Sequence, residues 1–103
     1  MNTLYPAIFE PQEPSGYFVR FIDIPEAITQ GQTIEECMFN GSEVLSLVLE
    51  EHLDSEREIP QPSANIQGAH CIAPDARIQS AILVRWARGN RSLADITSTS
   101  HPK

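Results

Sequence analysis

The sequence predicts an α+β protein, a β-β-β-α-β body followed by a short C-terminal helical segment. Three observations predict it. Two short apolar runs flank a turn-rich stretch near the N-terminus, a long amphipathic stretch with a capping signal follows, and charge and periodicity both change after residue 73. The chain therefore divides into a body, residues 1–73, and a helical segment, residues 74–103, the latter a partial helix-turn-helix or an oligomerisation element.

Each element has its own local reason. Leu4 to Phe9 reads as a strand, with Pro6 confining it to a place where an N–H is not needed. Glu10 to Gly16 is turn chemistry, carrying Pro11, Pro14 and Gly16. Tyr17 to Phe21 alternates, setting Tyr17, Val19 and Phe21 on one face, as expected of a sheet covered on one side by a helix. Asp23 to Glu26 bends the chain into a third strand, Ala27 to Gly31.

Thr33 then offers a helix N-cap, and Glu36, three residues on, completes a T-x-x-E capping box. Ile34, Cys37, Met38, Gly41, Leu45, Val48, Leu49 and His52 recur at spacings of three and four, which makes an amphipathic helix of about five turns. Glu35, Glu43, Glu50 and Glu51 occupy its other face. Pro60 and Pro62 close that region, and His70 to Ala73 reads as a fourth strand. Pro74-Asp75 starts a second helix with Ile78, Ala81, Ile82 and Trp86 as its apolar stripe and Arg77, Arg85 and Arg88 elsewhere on its surface. Gly89-Asn90 ends it, and Ser92 opens a third. Helix, tight turn, helix is the opening of a helix-turn-helix, but the polar residues from Thr97 onward show no recognition helix.

The net charge is −7 and is unevenly spread: up to Ala73 twelve acidic residues face two basic ones, and from Pro74 onward five basic residues face two acidic ones. An acidic body repels nucleic acid and attracts a basic protein, while a basic tail does the reverse. No apolar run approaches the roughly 20 residues that span a bilayer. Met1 to Leu4 has no basic lead-in to a signal sequence, so a cytoplasmic protein is expected. Cys37 and Cys71 lack metal or redox spacing and read as two buried thiols. Catalysis finds no footing. Carboxylates do not gather on the strands as a two-metal site needs, the histidines lack ligand spacing, and no serine or threonine has an evident base. Neither a catalytic residue nor a cofactor or metal is expected.

Tyr5-Pro6-Ala7-Ile8-Phe9, Gly16 to Phe21, Asp23-Ile24-Pro25-Glu26-Ala27, Thr29-Gln30-Gly31 and the capped helix, in that order, resemble the HicB family of antitoxins. Pro60 to Ser63 is similar to the family's exit from the helix, and Pro74 to Ile96 resembles the start of the helix-turn-helix of one subgroup. The resemblance implies a partial ribonuclease H-like body that binds and neutralises a HicA-type toxin, an mRNA-cleaving ribonuclease, and in many members a C-terminal part that represses the operon. The expected partners are that toxin, operator DNA and further copies of the chain, as a homodimer or higher homo-oligomer. Glu43, Glu50 and Glu51 are the candidate toxin contacts, and Arg85, Arg88 and Arg91 the candidate DNA contacts. A DNA-binding transcriptional regulator and an orphan protein-interaction module are the alternatives.

Overall fold

The computed structural model describes residues 2–89. Strand β1 runs Tyr5–Pro11, β2 Tyr17–Phe21 and β3 Ile28–Gly31, followed by helix α1, Ile34–Asp54, strand β4, His70–Ile72, and helix α2, Ala76–Ala87. The strands form one antiparallel sheet in the order β3-β2-β1-β4. The β-β-β-α-β order and the second helix agree with the reading of the sequence. The third helix expected from Ser92, its turn at Asn90, and Arg91 lie outside the described residues.

Strand limits shift for local reasons. β1 continues through Glu10 and Pro11, opposite Phe18 and Tyr17, rather than stopping at Phe9. Pro11 tolerates the last position because it has no N–H to place, and Gln12 N–H closes the loop onto Gly16 O at 2.9 Å. Ala27 falls outside β3 because its N–H turns back to Ile24 O at 2.9 Å.

Pairs such as Ala7 with Phe21, Phe9 with Val19, Tyr17 with Gly31 and Tyr5 with Ile72 place these residues on one sheet face. α1 lies on that face and buries Cys37, Gly41, Leu45, Leu49 and His52. Its approach is close: a Cβ on Gly41 would stand 2.8 Å from Ile72 Cδ1, so the bare position lets the helix settle onto β4. The other sheet face carries Ile8, Phe18, Ile28 and Cys71, crossed by the ion pair of Arg20 Nε with Glu10 Oε2 at 2.9 Å. Cys71 is therefore exposed, which corrects the expectation of two buried thiols. Odd and even residues of a strand cannot share a face, and His70 takes the covered one. Cys37 is buried, and that burial, with Glu36 adding, pushes its thiol up from the ordinary value.

The helix cap forms with one difference. Glu36 N–H donates to Thr33 Oγ1 at 3.0 Å, but the Glu36 carboxylate accepts from Gln32 N–H, at 2.6 Å, rather than from the cap residue's own amide. α2 is capped by Asp75, whose Oδ1 accepts from Ile78 N–H at 2.9 Å. α2 ends at Ala87, and Gly89 follows at φ +72°, a conformation that favours glycine. Ile78, Ile82 and Trp86 join the same buried cluster as Tyr5, Val19 and Leu49, so α2 is built into the body's core.

Between α1 and β4 the chain has no regular structure, and distant side chains fix it. Tyr5 Oη donates to Pro60 O at 2.7 Å, and Trp86 Nε1 to Ile59 O at 2.9 Å. Burial, with the Asp23 charge adding, holds the Tyr5 phenol far above its ordinary pKa, so it remains a donor. Glu26 ties the β2–β3 bend to the end of α1. Its Oε2 accepts from Arg57 Nη2 at 3.0 Å and lies 3.2 Å from His52 Nε2.

Glu26's own backbone N–H, aided by His52 and Arg57, holds this carboxyl below the usual carboxylate range. A depressed folded-state pKa stabilises the fold above the unfolded-state value, and that contribution is lost as pH falls through the folded-state value. Glu26→Gln is therefore expected to melt below the wild type at neutral pH, with the gap closing through the acid range. Thermal unfolding across pH measures it, and a gap that stays constant into acid would contradict this role.

Candidate functional site

Beyond Ile34 at its first position, α1 turns two large apolar side chains to solvent. Phe39 is 65% exposed and Leu47 is 68% exposed. They are eight residues apart, which places them about 12 Å apart along the helix axis and about 80° apart around it, one on either side of the strip that carries Glu43. Glu43 stands between them, one turn from each, and is exposed. The sequence reading missed this pair because both residues lie off the buried stripe. The signal was present, since large apolar residues at i and i+8 on an otherwise acidic face have no role in the core.

The pair borders a groove of about 500 Å³ where α1 meets the start of α2. Ser42 and Ser46 form its wall, and both are held by the backbone. Ser42 Oγ donates to Ala73 O at 2.7 Å, and Ser46 Oγ donates to Ser42 O at 2.8 Å while accepting from Asp75 N–H at 2.9 Å. These bonds stitch α2's first turn to α1 and fix the groove's shape. Of its seven lining residues three are carboxylates, Glu43, Glu50 and Asp75, and none is basic. Arg77 Nη2 reaches Glu50 Oε2 from outside at 3.2 Å, with side chains 68% and 40% exposed. So exposed an ion pair is worth at most about 1 kcal/mol, too little to withhold Glu50 from a stronger partner.

Of the candidate acidic contacts, the structure brings Glu43 and Glu50 together in the groove, while Glu51 is exposed and is not part of its lining. Apolar burial outweighs charge here. Covering a phenylalanine or leucine side chain contributes about 1.5–3 kcal/mol, against up to about 1 kcal/mol for a surface ion pair. The apolar pair would set affinity, and the carboxylates would set orientation and approach.

A larger groove of about 800 Å³ lies by the β1–β2 loop, and several of its polar groups are engaged with one another. Ser15 Oγ donates to Gln32 Oε1 at 2.9 Å and Asn40 Nδ2 to Gln30 O at 2.8 Å. Among the described residues no three His, Cys, Asp or Glu side chains gather as a metal site, and no helix is long and apolar enough to cross a membrane.

Of the candidate DNA-contacting arginines, Arg85 and Arg88 are described, and neither is exposed. Arg85 is 4% exposed, with Nη1 donating to Arg57 O at 2.8 Å and Nη2 to Leu53 O at 3.2 Å. This corrects its expected place on the outer surface of α2. Arg85 follows Ile78 by seven residues and Ile82 by three, so it sits on the buried stripe. There its charge meets the carbonyl end of α1, where a cation is favoured. Arg88 is half-buried at the C-cap of α2.

The sequence profile described as "HicB_like antitoxin of bacterial toxin-antitoxin system" matches residues 4–75. The chain belongs to the HicB-like antitoxin family. The HicB-like match covers all four strands and α1 and stops at the cap of α2. Among curated proteins, "Antitoxin HicB 1" of Photorhabdus laumondii is 44% identical over 61 residues, covering 59% of this chain and 39% of the relative. "Antitoxin HicB" of Escherichia coli K12 is 34% identical over 80 residues, covering 78% of this chain and 58% of the relative. An uncharacterized 14.9 kDa protein of Haemophilus phage HP1 is 34% identical over 58 residues, 56% of this chain and 43% of the relative. The chain thus spans about two fifths to three fifths of the length of these curated relatives.

Proposed function

We propose that this protein is a non-catalytic antitoxin that binds and neutralises a HicA-type mRNA-cleaving toxin, its body being of the partial ribonuclease H-like kind. Membership of the HicB-like antitoxin family carries the reading. The charge of the body supports it, because a ribonuclease that grips RNA phosphates presents a basic surface, and carboxylates compete for that surface. Glu43, Glu50 and Glu51 are the proposed contacts.

Adding the purified protein in excess to a cognate HicA-type ribonuclease is expected to abolish cleavage of an RNA substrate. Full cleavage with no complex at micromolar concentrations would refute the proposal. Operon autorepression by a homo-oligomer has narrower support. Arg85 is committed to carbonyls, Arg88 is half-buried, and Arg91 lies outside the described residues. Operator binding through the arginines should weaken steeply with added salt.

A further inference from the structure

We infer that the groove bordered by Phe39 and Leu47 is the docking site for an amphipathic segment of a basic protein, which seats two apolar side chains against this pair and a cationic side chain against Glu43. The inference rests on the antitoxin reading and adds to it the surface and the chemistry of the segment received.

Two independent features coincide there. Phe39 and Leu47 are among the most exposed large apolar residues described, and they rim a groove rather than standing on a convex surface. The same groove presents three carboxylates and no base. Acid between two apolar anchors excludes phosphate-rich occupants, since nucleic acid and anionic lipid surfaces would be repelled. It selects a complementary order in the partner: apolar, basic, apolar. The axial separation of about 12 Å matches apolar residues about two helical turns apart with a basic residue one turn from each. The groove is pre-shaped by the Ser42, Ser46 and Asp75 bonds, which limits the ordering cost of binding.

The probe is a cognate HicA-type toxin, with association and dissociation rates followed on this protein immobilised. The variants are Phe39→Ala with Leu47→Ala, Glu43→Gln, and Ile28→Ala on the opposite sheet face as control. All four residues are exposed, and unchanged unfolding midpoints check that each variant folds. The double apolar variant is expected to bind more than about tenfold more weakly, mainly through faster dissociation. Glu43→Gln should slow association about threefold at low salt, a difference that vanishes at high salt. Ile28→Ala should bind as the wild type does.

Wild-type binding by the double variant, or an equal loss in Ile28→Ala, overturns the groove assignment and leaves the antitoxin reading standing. No binding by the wild type overturns both. If instead the double substitution dissolves a homo-oligomer of this chain, the occupant is a second copy, and the assignment to a basic partner is overturned.

Discussion

Replacing Trp86 with alanine is expected to remove about 3–5 kcal/mol of folding stability. The ring is 6% exposed within the common core, and its Nε1 donates to Ile59 O at 2.9 Å. Truncation removes both the largest apolar surface of α2 and the bond that fixes the exit of α1. Against a total stability of about 5–15 kcal/mol, such a loss brings the fold close to its limit. It should lower the melting temperature by more than about 12 °C in a domain of this size. Trp86→Phe separates the two contributions: it keeps most of the ring and is expected to cost about 1–2 kcal/mol. Chemical denaturation of both variants checks this. A Trp86→Ala protein within 1 kcal/mol of the wild type would show that α2 does not share the body's core.

Arg85→Ala is the second large effect, with an expected cost of about 2–4 kcal/mol. The side chain places a charge under α2 and donates to Arg57 O and Leu53 O at the end of α1. Bonds from a charged donor are worth about 1.5–3 kcal/mol, and the methylene stem adds packing. Arg85→Met keeps the stem and removes the buried charge along with its desolvation cost, so it should lose less than alanine does. Arg20→Ala, on the exposed sheet face, should stay within about 0.5 kcal/mol of the wild type. Urea titrations of the three variants rank them, and Arg85→Ala matching Arg20→Ala would refute the buried role. A surface arginine reserved for phosphate would show that matching behaviour.

The sequence disclosed the elements through strong local signals. Thr33 and Glu36 announced the start of α1, alternation at Tyr17, Val19 and Phe21 announced a half-covered strand, and Asp75 announced α2. What it hid was tertiary. Arg85 reads as surface because arginine usually is. Only the carbonyls of Leu53 and Arg57, brought from far along the chain, explain its burial. Residue type alone places Cys71 in the core, although strand alternation beside His70 keeps the two off one face. For the site, the carboxylates Glu43 and Glu50 were legible as a charged face. The groove was not, because it needs the first turn of α2 laid beside α1, a placement fixed by serine-to-backbone bonds that no periodicity records.

The pinned connection between α1 and β4 has a consequence for which residues can change. Tyr5, Arg85 and Trp86 all grip it by main-chain oxygens, those of Pro60, Arg57 and Ile59. Every amino acid supplies the same oxygen, so at these three points the path is encoded by side chains outside the connection, while Ile59, buried in the core, and Arg57, paired with Glu26, anchor it from within. Exposed positions such as Gln61, Ala64 and Gln67 can be exchanged with little effect on that path. A single change at a gripping residue, dozens of positions away, would redraw it.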